Sequence, residues 1–255
     1  MDRKFGLVCN CVEGTEEVSL ELLKKYGFSC FFSDAYDLET MYKLREKADE
    51  LGLEYEFVHG PFKGINDMWL SEETPEIYKQ LRLCIENAAA VQVKSVIMHV
   101  SSGWNAPKVN DLGLSRYDSL VEYAQEKGVI LAFENLRKLG NLACLMDRYE
   151  HCENVKFCYD CGHEHCYTVT VPYAELYGSR FLCTHLHDNF GYDAGDGDLH
   201  LMPFDGNIDY KKVMDGLNKV GYKGSLMLEI FKPKDMSADE FVFLAYERVE
   251  RMSKL

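Results

Sequence analysis

The chain has 255 residues, with 28 basic and 42 acidic side chains and a formal net charge of −14. Its 47% hydrophobic and 27% charged residues are ordinary for a soluble globular protein, and an acidic surface repels a duplex, so nucleic acid is disfavoured as a partner. No apolar run approaches the ~20 residues that cross a bilayer, which excludes a membrane-spanning helix. The N-terminus, MDRKFGLVCN, holds one short apolar stretch and no cleavage-like site, which points to a cytoplasmic protein. Ten cysteines spread along such a chain read as reduced thiols. Cys158 and Cys161 with His163, His165 and Cys166 leave a zinc knot open, against the plainer reading of small buried thiols at a strand and its exit.

In chain order, β-rich runs fall at Phe5–Asn10, Cys30–Ser33, Tyr55–His59, Ser95–His99, Val129–Glu134, Val155–Asp160, Phe181–His187 and Ser225–Glu229. Several are nearly continuous apolar stretches, such as VIMHV and VILAF, as strands covered on both faces should be. Segments with helical spacing separate them, at Glu16–Tyr26, Leu38–Leu51, Glu73–Val91, Ser115–Lys127, Leu142–Tyr149, Tyr173–Tyr177, Tyr210–Val220 and Ala238–Met252. The first has apolar Val18, Leu22, Leu23 and Tyr26 on one face and starts at Thr15 without a full capping box. Glycine punctuates the helix-to-strand turns in YGF, LGL, KGV and GYKG. Eight strand–helix units in one domain, residues 1–255, predict an α/β fold, the (β/α)8 TIM barrel. The doubly wound open sheet is the alternative, weakened by a first turn, NCVEGTEE, with a single glycine. The longest irregular stretch, Asp188–Asn207, has the length of a functional loop.

In a barrel, chemistry gathers at the carboxyl ends of the strands. Of eight histidines, His59, His99, His163, His165, His185, His187 and His200 fall at a strand end or in the loop after one; His151 alone precedes a strand, at the opposite face. Glu134, Asp160 and Glu229 each end an apolar strand, where a charged carboxylate is costly unless a cation compensates it. Pairing with Lys or Arg would satisfy any one of them. Glu134, Asp160, His185 and Glu229 together are better explained by convergence on one divalent metal, of the Mn²⁺, Mg²⁺, Co²⁺, Fe²⁺ or Zn²⁺ type.

The stretches HGPF (59–62), MHVSS (98–102), FEN (133–135), DCGH (160–163), HLHDN (185–189), DLHLMPFDGNID (198–209) and LEI (228–230) resemble, in order and at barrel-like spacing, the xylose-isomerase-like superfamily. That group holds sugar and sugar-phosphate isomerases and epimerases and also endonuclease IV. The resemblance implies a metal held by Glu134, Asp160, His185 and Glu229, with His185 rather than His187 as ligand, because HLHD resembles the family's HLKD or HLND. Endonuclease IV carries three zinc ions, and the resemblance extends to counterparts of its other ligands, His59, His99, His163, Asp198 and His200. The HGPF and D-x-H patterns also recur in the isomerase-like branch, and there the resemblance implies that their histidines, His59 and His200 here, contact sugar hydroxyls.

The function this implies is a metal-dependent sugar or sugar-phosphate isomerase or epimerase, in which a divalent cation stabilises an enediolate. Glu134 and Glu229 would remove and return the proton, and His163 and Asn135 would hold hydroxyl groups. Trp69, Trp104, Phe62 and Phe190 are candidate apolar walls, and Arg137 is the preferred anchor for a substrate phosphate. Ketose 3-epimerases of the group carry an arginine shortly after the metal histidine, whereas residues 188–210 here contain neither Arg nor Lys. Two alternatives stand: an endonuclease IV-like multi-metal phosphodiesterase, opposed by the charge, and a non-catalytic metal- or sugar-binding barrel. Phe241, Phe243 and Tyr246 on the last helix are either core or a homo-oligomer interface.

Overall fold

The structure, a computed structural model, describes residues 3–12, 16–192 and 197–255, with the backbone alone at 16–18. The helix start expected at Thr15 lies outside the described residues. The strands are β1 (Phe5–Val8), β2 (Cys30–Ser33), β3 (Glu54–His59), β4 (Ser95–Met98), β5 (Ile130–Glu134), β6 (Val155–Asp160), β7 (Phe181–His185) and β8 (Leu226–Leu228). Ten helices alternate with them among the described residues: α1 (Glu16–Tyr26), α2 (Leu38–Leu51), α3 (Asp67–Leu70), α4 (Glu76–Ala90), α5 (Asp111–Lys127), α6 (Leu139–Arg148), α7 (Cys161–Tyr167), α8 (Tyr173–Tyr177), α9 (Tyr210–Lys219) and α10 (Ala238–Ser253).

The strands are bonded in the order β7-β6-β5-β4-β3-β2-β1-β8. The two ends of that order meet through a parallel bridge between Leu186 and Leu228. Leu186 N–H donates to the Met227 carbonyl at 2.8 Å, and Glu229 N–H to that of Leu186 at 3.1 Å. An open doubly wound sheet would leave those edges unpaired, so the fold is the TIM barrel. None of its described helices is long and apolar enough to cross a membrane.

The chain forms two compact units, residues 1–33, 44–55 and 159–255, and residues 34–43 and 56–158, with the changeovers inside α2, β3 and β6 and at the end of β2. In the first unit, β1 pairs with β2 from Gly6↔Cys30 to Val8↔Phe32 and with β8 from Phe5↔Leu226 to Leu7↔Leu228. Helix α10 is capped by Ser237, whose hydroxyl accepts from Glu240 N–H at 3.2 Å, and packs against β1 and β8. Phe241 is fully buried and is core, while Tyr246 is half-buried and packs edge-on against Phe5 and Phe28; Phe243 alone of the three aromatics is exposed, resting on Tyr26.

In the second unit, β3, β4, β5 and β6 pair in parallel through Val58↔Val96, Met98↔Phe133 and Glu134↔Cys158. Helix α4 buries Ile77, Leu81, Cys84, Ile85 and Ala88 on one face, each large aliphatic contributing roughly 1.5–3 kcal/mol of transfer free energy. Asn110 caps α5 by accepting from Gly113 N–H at 2.9 Å, and Gly128 ends it in the left-handed region, φ 69°. Trp69, expected as a candidate ligand wall, is instead core. It is 1% exposed, and its indole N–H donates to the Val100 carbonyl at 2.8 Å.

Candidate metal centre

The second unit brings together His59, His99 and Glu134. His59 and Glu134 end β3 and β5, and His99 follows β4, so parallel pairing sets all three at the strands' carboxyl ends. Glu134 is fully buried, with Oε2 3.0 Å from His99 Nε2 and 3.4 Å from His59 Nε2. His59 Nδ1 lies 2.9 Å from the Gly60 carbonyl and donates its N–H there. A neutral His59 then turns the Nε2 lone pair, not a proton, toward a carboxylate. Two electron-rich atoms face each other, an arrangement that calls for a proton or a metal between them. Phe62 stacks on His99 with centroids 4.5 Å apart.

The first unit gathers a larger set. Asp160 ends β6 and caps α7, accepting from His163 N–H at 2.6 Å, so one buried carboxylate serves both elements. His185 ends β7, with Nδ1 3.4 Å from Glu229 Oε2 and 3.9 Å from Asp160 Oδ2, its ring stacked on Phe32. His163 presents Nδ1 to Asp160 at 3.6 Å and Nε2 to Asp198 at 3.2 Å. His200, held at φ 46°, repeats the pattern of His59: Nδ1 donates to the Glu229 carbonyl at 2.8 Å while Nε2 faces Asp198 at 3.4 Å. Burial works against the charge of Asp198, but the hydrogen bond from His163 and the positive potential of His163, His200 and His187 hold its carboxyl well below the usual range. Burial also opposes a charge on His187, yet Asp160 and Asp198 raise its pKa above the ordinary imidazole value.

Every ion pair named above joins a carboxylate to an imidazole, the hard-to-borderline oxygen and nitrogen donor set of a divalent metal. Ligand atoms of His59, His99 and Glu134, of His163, Asp198 and His200, and of His187, His200 and Glu229 lie within 4.8 Å of one another in each group. Glu229, Asp198 and His200 keep 14%, 21% and 23% of their side chains exposed, whereas Asp160 and His185 keep none, which gives the first unit's cluster an accessible side.

His187 was not among the expected ligands, yet its Nε2 lies 3.2 Å from Asp160 and 3.8 Å from Asp198. The signal was present: in extended chain, residues two apart share a side, so HLHD aims His185 and His187 the same way. Asp188 was also missed. Its buried carboxylate accepts from Asn189, Phe204 and Ile208 N–H at 2.9, 2.8 and 3.1 Å, and its backbone pairs with Leu201. That clasp fixes the described parts of the loop that carries Asp198 and His200. Of the remaining candidates, Asn135 is buried directly after Glu134, Arg137 is half-buried, and Trp104, Phe62 and Phe190 are about half exposed. The zinc-knot cysteines are buried thiols: Cys161 donates to the His187 carbonyl at 3.5 Å and Cys166 to that of Gly197 at 2.8 Å. His151 sits exposed before β6, away from this chemistry.

Residues 20–246 match the family model described as xylose isomerase-like TIM barrel. Protein MJ1311 of Methanocaldococcus jannaschii is 24% identical over 283 residues, covering 100% of this chain and 94% of its own length. A D-tagatose 3-epimerase-like protein of known structure superposes with a TM-score of 0.76 at 22% identity, over 98% of this chain and 97% of its own. The IOLI protein with a bound zinc atom superposes at 0.78 and 17% identity, over 98% of both chains. At these identities the structural likeness speaks to the fold alone.

Proposed function

The chain belongs to the xylose isomerase-like TIM-barrel family, and from that premise we propose that it is a metal-dependent sugar or sugar-phosphate isomerase or epimerase. The observation that carries this reading is the pair His59 and His200, each committing Nδ1–H to a backbone carbonyl and turning Nε2 to a carboxylate. Asp160, His185 and Glu229 are the first unit's ligands, and Glu134 is the fourth that family membership implies. A divalent cation held there supplies Lewis-acid stabilisation of the negative charge that develops when a proton leaves the carbon beside a carbonyl.

The chain's own groups do the rest. Glu229, partly exposed on the accessible side, takes or returns the carbon-bound proton, and Glu134, wholly buried against two imidazoles, is the second proton-transfer carboxylate. His163 and Asn135 hold hydroxyl groups, Arg137 anchors a phosphate where the substrate carries one, and Trp104 supplies an apolar wall. With no Arg or Lys between residues 188 and 210, the substrate lacks the cationic partner that an arginine there would give.

Deuterium exchange from solvent into a panel of ketoses and keto-sugar phosphates, with Mn²⁺ added, examines proton abstraction without the product being known. Label is expected at the carbon beside the carbonyl, reduced ~10²-fold or more in Glu229→Gln with the fold retained. His151→Ala, far from the clusters, should stay within a few-fold. Absence of label from every substrate, or full exchange in Glu229→Gln, rejects the reading. A second reading, multi-metal phosphodiester hydrolysis, draws on the further three-ligand groups His59/His99/Glu134 and His163/Asp198/His200. Metal content near three per chain together with chelator-sensitive nicking of abasic-site DNA would favour it; one metal and no nicking would remove it.

A further inference from the structure

His187 is buried completely, and no sequence pattern assigns it a task. Its Nε2 lies 3.2 Å from each carboxylate oxygen of Asp160. One face stacks on His200, centroids 4.0 Å apart and planes 16° from parallel. Against the ring stands the backbone of Gly162, so close that a Cβ there would come within 1.9 Å of His187 Cε1. Nδ1 finds no hydrogen-bond partner among the described residues.

This environment selects a tautomer. A buried N–H without an acceptor forfeits the hydrogen bond it made to water, and a bare nitrogen lone pair forfeits less. In the neutral ring the proton therefore belongs on Nε2, where Asp160 accepts it. Metal-bound imidazoles almost always donate their other N–H to an acceptor, as His59 and His200 are arranged to do. His187 has no acceptor for an Nδ1 proton, so coordination through Nε2 is disfavoured despite its proximity.

We propose that His187 is a positioning residue for the metal centre. Its Nε2–H and the His163 amide, 2.6 Å from Asp160 Oδ1, orient the Asp160 carboxylate as a ligand, and its ring face seats His200. The inference rests on the metal-dependent reading and adds to it a residue that touches the ligand, not the ion.

The experiment is a Co²⁺ titration of metal-stripped full-length protein, followed by visible absorption and by metal analysis. His187→Leu is expected to bind Co²⁺ ~10–100-fold more weakly at unchanged stoichiometry. His187→Gln, which keeps an N–H donor at similar reach, should recover wild-type affinity to within a few-fold. Wild-type affinity in His187→Leu overturns the proposal, as does loss of one metal equivalent that glutamine does not restore, the mark of a direct ligand. Should the leucine variant not fold, ¹⁵N-histidine NMR of the metal-free wild type at pH 9 decides the matter. The ring with a nuclear Overhauser contact to Gly162 should be the Nε2–H tautomer, with a slowly exchanging proton; an Nδ1–H tautomer overturns the proposal. If the wild type binds no Co²⁺, the metal-dependent reading fails while the NMR result still judges the His187–Asp160 bond.

Discussion

Gly162 shows how much of the metal centre depends on an atom that is missing. A methyl group there would lie 1.9 Å from Cε1 and 2.4 Å from Nε2 of His187, inside any permissible contact. Gly162→Ala should therefore displace the ring, at a cost of about 1–3 kcal/mol for overpacking, and reproduce the weak Co²⁺ binding expected of His187→Leu. Gly140→Ala is the matched control: it lies early in α6 with no atom within 4 Å of the added carbon, and should be neutral or gain up to about 1 kcal/mol in helix propensity. Thermal denaturation of both variants separates steric displacement from a general effect of replacing glycine. Equal stability in the two would show that His187 moves freely. At this scale the sequence was legible in residue type and poorly legible in geometry. Strand alternation could have placed His185 and His187 on one side, but which nitrogen donates depends on Gly162 for His187 and on the Glu229 carbonyl for His200, contacts made by chain segments far apart.

Elements whose identity rests on apolar runs were readable; those held by a single polar group were not. The strands at Cys30–Ser33 and Val155–Asp160 match their expected bounds because barrel strands are apolar throughout. Helix α7, with the sequence CGHEHCY, offers no apolar stripe of helical period, so its residues alone do not distinguish it from a strand exit and loop. Its start is set by Asp160 accepting from His163 N–H. The loop after β7 has the same origin. Asp188 gathers three backbone amides, and a Cβ on Gly206 would lie 2.3 Å from its Oδ1, so the chain at Gly206 can approach that carboxylate only without a side chain. Asparagine at position 188 keeps one acceptor oxygen and introduces an N–H₂ group facing N–H donors. Asp188→Asn is expected to raise hydrogen exchange at the Phe204 and Ile208 amides ~10-fold or more while amides of β1 and β8 keep their protection. Unchanged exchange at both loop amides would mean that the Leu201 bridge alone holds the segment.

At the scale of the whole molecule, two sources of stability should separate along the pH axis. Metal binding stabilises the folded chain by mass action, and it requires neutral imidazoles, so the gain should shrink as pH falls through roughly 6.5, where histidine takes up a proton. The metal-free protein depends on pairs of another kind. Asp118 on α5 accepts two hydrogen bonds from Arg148, both 2.6 Å, and one from Tyr149, at the end of α6. The Arg148 guanidinium above all holds its carboxyl below the ordinary value, against a smaller opposing effect of burial. A carboxyl whose folded pKa is depressed contributes its full stability above the unfolded value, about 4, and loses it as pH falls through the lower folded one. The melting temperature with Mn²⁺ or Co²⁺ present should thus exceed that with chelator at pH 8, and the two should converge between about pH 7 and 5. The chelated protein should hold its own stability until roughly pH 4 and decline below it, with Asp118→Asn removing part of that decline. A metal-induced gain that persists unchanged at pH 5 would point to carboxylates as the ion's only ligands and take the histidines out of the centre.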